Sequence, residues 1–133
     1  MLVGVADTHT VIWQIFGNPQ LSTNARQFIA NSAVNGNKIG VSSITLIEMV
    51  YLIERSKIPV ESFTRFARML STPRAVFTEI PLDLKVARAL MLVDATKIPD
   101  MPDRIIAATA LSLNVPVISK DSKIRLSSIT TIW

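Results

Sequence analysis

Four acidic residues stand at the edges of, or inside, otherwise uncharged stretches, and a fifth sits beside one of them. Asp7 closes the apolar run Leu2–Ala6, and Glu48 is the only charge in Ile44–Ile53. Asp103 follows Asp100 in Asp100-Met101-Pro102-Asp103-Arg104, and Asp121 comes just after the apolar run Val115–Ile118. Carboxylates from separated chain segments are hard oxygen ligands of the kind that bind Mg²⁺ or Mn²⁺, ions that keep several waters and take phosphate oxygens as further ligands. One or two such ions, about 3.5–4 Å apart when paired, activate water and steady an in-line displacement at phosphorus. The chemistry this set points to is metal-assisted hydrolysis of a phosphodiester.

Each carboxylate also has a purely structural explanation. Asp7 can cap a helix beginning near Thr8 or Thr10, and Asp100 reads mainly as the cap of the helix that Pro102 enters. Asp103 can complement the dipole of that helix from its first turn, and Asp121 can be a solvated turn residue in Lys120-Asp121-Ser122-Lys123. Glu48 is harder to account for: a helix apolar nearly all round is a buried helix, and a carboxylate there needs a partner. Arg55 is the structural candidate, a cation is the functional one. His9 reads as a packing or supporting residue. It lies two positions from Asp7 and cannot be oriented by it as a triad base would be. With glycine only at positions 4, 17, 36 and 40, no phosphate-cradling loop is available.

Strands are expected at Leu2–Ala6, Ile39–Val41, Ala75–Ile80, Val115–Ile118 and Ile129–Ile132. Helices are expected at Thr10–Phe16, from Ser22 or Thr23 to about Asn35, from Ser42 or Ser43 to about Ser56, at Val60–Leu70, at Leu82–Val93, and from Asp100 to about Asn114. Gly17-Asn18-Pro19 and Asn35-Gly36-Asn37 are turn chemistry. Continuous apolar strands alternating with helices predict a three-layer α/β/α fold with a central parallel sheet of about five strands, within one domain over residues 1–133. In such sheets ligands gather beyond the carboxyl ends of the strands, at a topological switch point. Asp7 and Asp121 fall there, and Glu48 and Asp103 can reach the same rim.

Composition narrows the classes. The chain of 133 residues is 49% hydrophobic, has no cysteine and offers no uncharged apolar run of the roughly 20 residues a membrane span needs. The first residues lack a basic leader region, so the cytoplasm is the expected compartment. Lys plus Arg is 14 against 10 Asp plus Glu, a net +4. With the four carboxylates in one pocket, 6 acidic residues remain elsewhere against the 14 basic ones. A basic surface around an acidic hole suits a polyanion delivered to a metal site, with Arg55, Lys57, Arg65, Arg68 and Lys120 as candidate phosphate contacts. The stripe of Phe63, Phe66 and Leu70 suggests apolar surface left over for a partner.

Asp7-Thr8-His9 with Ile12-Trp13, Ser42-Ser43 followed by Glu48-Met49, Pro102-Asp103-Arg104-Ile105-Ile106-Ala107-Ala108-Thr109-Ala110 and Ser119-Lys120-Asp121 together resemble a PIN domain. In particular they resemble the VapC-like toxins of bacterial type II toxin–antitoxin pairs, over essentially the whole chain. The resemblance implies a Mg²⁺- or Mn²⁺-dependent ribonuclease in which Asp7, Glu48, Asp103 and Asp121 are the acidic quartet. Asp7 and Asp103 would be the most direct metal ligands, and Thr8 a supporting hydroxyl. It also implies a homodimer and a cognate antitoxin covering the acidic groove, and it leaves the role of Asp100 open. An RNA-processing nuclease that is not a toxin is a second reading. A third is a non-catalytic PIN-like module gripping RNA or protein, against which the intact carboxylates argue. A phosphoacceptor receiver domain fits poorly, since no adjacent acidic doublet follows the first strand.

Overall fold

The computed structural model describes residues 1–133. Its elements run β1 (Leu2–Ala6), α1 (Thr8–Phe16), α2 (Thr23–Val34), β2 (Lys38–Ser42), α3 (Ser43–Glu54), α4 (Glu61–Leu70), β3 (Phe77–Ile80), α5 (Leu84–Leu90), α6 (Met101–Leu113), β4 (Val117–Ile118), α7 (Ser122–Arg125) and β5 (Thr131–Ile132). All five strands are parallel, in the order β3-β2-β1-β4-β5. The chain builds outward from β1 on one side and then returns to build on the other, so the switch point lies between β1 and β4. Helices cover both faces, giving the three-layer α/β/α arrangement.

Alternation along the strands divides the core. Ala6 and Ile118 face a cluster with Val11, Ile29, Met49, Phe66 and Phe77 from the α1, α2, α3 and α4 side. Their neighbours Val5 and Val117 face the other cluster, with Val86, Ala89, Ile106 and Ala110 from α5 and α6. Phe66 is fully buried with its ring edge-on to Phe77, centroids 6.0 Å apart, so Phe66→Ala would cost about 3–5 kcal/mol. Gly40 in β2 has no room for a side chain: a Cβ there would lie 2.8 Å from Ile80 Cγ1.

The helix ends follow their local chemistry. Asp7, Ser22, Ser42 and Asp100 each accept a backbone N–H at a helix start, and Gly17 closes α1 in the left-handed region at φ 61°. Several boundaries differ from expectation. The fourth strand is only Val117–Ile118, because Pro116 has no N–H to give; its carbonyl instead accepts Val5 N–H at 2.9 Å. The third strand starts at Phe77, since Ala75 N–H is spent on the turn carbonyl of Thr72. Asp83 caps α5 by accepting from Val86 N–H at 3.0 Å, which leaves Leu82 outside the helix and exposed rather than in its apolar register.

Two expectations about α3 are corrected. It is not buried all round: Ile47, Val50 and Tyr51 are exposed, while Thr45 and Met49 are its buried residues. Nor is Arg55 the partner of Glu48, for its guanidinium lies over the Tyr51 ring, 4.2 Å from the centroid. One element is additional to those expected, α7, which Asp121 caps through bonds from Lys123 N–H and Ile124 N–H.

Candidate active site

The parallel pairing of β1 with β4 places Ala6 beside Ile118, so the residues leaving both strands meet at the switch point. Asp7 is 8% exposed, and both of its oxygens are held. Oδ1 accepts Thr10 N–H at 2.8 Å, and Oδ2 accepts the hydroxyl of the fully buried Ser119. Ser119 Oγ in turn accepts Asp121 N–H at 2.9 Å, while Thr10 Oγ1 donates to Ile118 carbonyl at 2.9 Å. The carboxylate after β1 and the backbone of Asp121 after β4 are thus tied through one serine.

Thr8 carries the same lacing to α3. Its hydroxyl proton goes to Glu48 Oε1, so in the 3.1 Å contact with Thr45 Oγ1 it is Thr45 that donates. Burial pushes the Glu48 carboxyl up from its ordinary value. The Thr8 bond works against that, and the Asp100 charge adds to it. Asp103 is pushed further, to about 7, by burial first and then by the charges of Asp100, Asp121, Glu48 and Asp7. Asp100 caps α6 through Asp103 N–H at 3.1 Å. The neighbouring Arg104 does not neutralise Asp103, because its guanidinium turns back to the carbonyls of Leu90 and Val93 at the end of α5.

Asp7, Glu48, Asp100, Asp103 and Asp121 line one open cavity of about 550 Å³ together with Thr8, and His9, Trp13 and Lys120 complete its wall. No group of three His, Asp or Glu side chains is drawn tightly enough to cage an ion unaided. The carboxylates stand around the cavity, and the charges of the other four add to burial in raising the Asp103 carboxyl.

Of the five basic residues singled out by sequence, Lys120 is on this wall, its Nζ 6.0 Å above the Trp13 ring. Lys57 lines an adjoining cavity. Arg65 lies over the Phe16 ring at 4.8 Å and donates to Ile15 carbonyl, and with Arg68 it lines a separate groove. Arg55 is engaged with Tyr51. Ser119, Thr45 and Trp13 were given no role by the sequence. Nothing in the sequence marks Ser119: it stands directly after β4 as Asp7 stands directly after β1, and its role needs the two strands side by side.

The PIN domain family model matches residues 5–127. No curated protein sequence matches the chain. Among solved structures, the chain is similar to VapBC2 from Rickettsia felis bound to a DNA fragment from its promoter. The two are 19% identical over 98% of this chain and 97% of that one, with a TM-score of 0.72. It is also similar to a toxin–antitoxin complex from Klebsiella pneumoniae, at 20% identity over 98% of this chain and 96% of that one, TM-score 0.64. FitAcB from Neisseria gonorrhoeae has 16% identity over 97% of this chain and 96% of that one, with the same TM-score of 0.64. At such identities the likenesses speak for the fold, and the family rests on the sequence match. That match takes in Asp7, Glu48, Asp103 and Asp121, and by it the chain belongs to the PIN domain family.

Proposed function

We propose that this protein is a divalent-metal-dependent endoribonuclease and the toxin of a toxin–antitoxin pair. PIN domains are in general nucleases. The observation that carries the reading to this chain is the cavity itself, where carboxylates from four separated segments meet at the switch point of a parallel sheet. The donor set fits Mg²⁺ or Mn²⁺: it is all hard oxygen, with no cysteine and one imidazole. Such ions are commonly held by one or two carboxylates, with waters and substrate phosphate completing the shell, so a closed cage of three is not required.

Asp7 and Asp103 are the direct ligands in this reading, with Glu48 and Asp121 completing the quartet. Bound there, the ion supplies an activated water and positive charge at the phosphate. The chain's own residues set the geometry. Thr10 and Ser119 fix the two oxygens of Asp7, Thr8 aims Glu48, and Asp100 holds the start of α6 that presents Asp103. Lys120 places a cation at the mouth of a hole that otherwise repels a phosphodiester.

The test is cleavage of structured and unstructured RNA by purified protein in Mg²⁺, Mn²⁺ or EDTA. Cleavage should need the ion and be lost in Asp7→Asn and Glu48→Gln. Full activity in EDTA, or an active Asp7→Asn protein, overturns the metal mechanism.

The toxin assignment draws on the complexes that share the fold. A homodimer, a bound antitoxin, or both would cover the exposed Ile47, Val50 and Tyr51 of α3 with Val60 at the start of α4 and Phe63 within it. Leu84, Met91 and Leu92 form further exposed apolar surface, away from the stripe of Phe63, Phe66 and Leu70. Co-expression with the genomic neighbour should yield a complex. A monomer at micromolar concentration with no companion would overturn the pairing.

A further inference from the structure

We propose that the cavity beyond Trp13 is a nucleotide subsite, which takes one unstacked base of the single-stranded RNA whose phosphodiester lies among the carboxylates. This rests on the ribonuclease reading and adds a recognition element to it. The cavity is about 540 Å³, and His9 and Trp13 belong both to its wall and to that of the carboxylate cavity. The two hollows are therefore consecutive along one groove, with the Trp13 ring as the partition.

Their chemistry is opposite. The first holds five carboxylates, whereas the second holds none and has Lys57 as its one charged side chain. Trp13 gives it an aromatic face, Phe16, whose ring carries the Arg65 guanidinium, lines it beside Trp13, and Asn18 and Gln20 give it amides. Asn18 Oδ1 is occupied by Gln20 N–H at 2.8 Å, which leaves the Asn18 NH₂ and the Gln20 side chain for a base edge. A base needs a π-face to stack on, donors and acceptors at its edge and a cation for the next phosphate, and this hollow supplies all three.

The platform is set before ligand arrives. Trp133 packs against the Trp13 ring at 5.9 Å, and His9 lies at 5.6 Å on the way to the carboxylates. Lys120 Nζ, 6.0 Å above the same ring, marks where the backbone passes from one hollow to the other.

The experiment measures binding of a fluorescein-labelled octaribonucleotide and of an abasic sugar–phosphate oligomer of equal length. It uses the full chain carrying Asp103→Asn in Mg²⁺, so that the RNA stays intact. Adding Trp13→Ala should weaken the octaribonucleotide about 10-fold and leave the abasic oligomer unchanged, because only the former has a base to stack. Trp13→Phe, which keeps a ring against Trp133, should stay within about 3-fold of the starting protein on both. Lys57→Gln should weaken both oligomers and flatten the slope of log affinity against log salt by about 0.7. Equal losses on the two oligomers, or none on either, overturn the subsite. So does a Trp13→Ala protein that binds RNA normally but no longer holds the protein encoded by its genomic neighbour, since the hollow is then a protein groove. Cleavage by the protein with Asp103 intact is read separately. A chain that cuts RNA without the base-dependent loss keeps the nuclease and loses the subsite. One that shows the loss yet never cuts keeps the subsite and loses the nuclease.

Discussion

Asp7 and Asp103 face the same cavity from opposite kinds of support. Asp7 is the more buried, yet a backbone N–H and a serine hydroxyl take up both of its oxygens. Asp103 is half-buried among four other carboxylates, and burial and their charges push its carboxyl up to about 7. Arg104, the nearest cation in sequence, is committed to the end of α5. Depth alone does not decide what a carboxylate costs; the donors waiting for it do. One side of the cavity is a finished hydrogen-bonded floor. The other is an uncompensated charge that a bound cation would relieve.

If the floor has the fixed geometry described, Asp7→Asn should have the largest effect. It should cost more than the roughly 10–100-fold that loss of a supporting contact to a metal ligand costs. Ser119→Ala tests the floor from beneath. It frees one Asp7 oxygen and the Asp121 N–H, and should lower kcat/KM on RNA about 10–100-fold while Asp7 itself is intact. A Ser119→Ala protein with parental kinetics would remove the distinction between floor and rim.

The rim is tested by melting. Ten dissociation constants' worth of Mg²⁺ should stabilise the parent by about 1.4 kcal/mol and Asp103→Asn by less. In EDTA at pH 8 the order reverses, and Asp103→Asn should melt above the parent. The folded-state value of about 7 lies above the ordinary 3.8, so the stability tied to Asp103 is full below about pH 4 and is lost as pH rises through 7. The gap between the two proteins is therefore widest above pH 7 and closes towards pH 4. Discounted for the solvent that reaches Asp103, it amounts to about 1 kcal/mol, or roughly 3–5 °C in Tm. A carboxylate that served only the helix dipole would give the opposite sign, a Tm lowered by the loss of about 0.3–1 kcal/mol.

The sequence carried the parallel α/β architecture because apolar runs and helical spacing repeat, and repetition is visible without coordinates. It carried the positions of Asp7, Glu48, Asp103 and Asp121 because a charge in or beside an apolar run has to be explained. What joins them was not legible. Ser119 and Thr45 are single hydroxyls with no period of their own, and their role exists only once β4 lies against β1 and α3 against α1. The Arg55 partnership failed because helical spacing permits a pairing without requiring it, and the Tyr51 face was closer at hand. Leu82 was assigned to a helix by period alone, where the cap at Asp83 had precedence.

The serine that ties Asp7 to Asp121 has a consequence in time. Ser119 lies 112 positions after the aspartate it holds. At about 5–20 residues per second, on the order of 10 s of translation separates the two. For most of that interval both Asp7 and Glu48 have been made, but the strand that completes their floor has not. A chain still on the ribosome, surrounded by the RNA it is proposed to cut, lacks the assembled cavity until Ser119 and Asp121 have been added, so its synthesis carries its own delay.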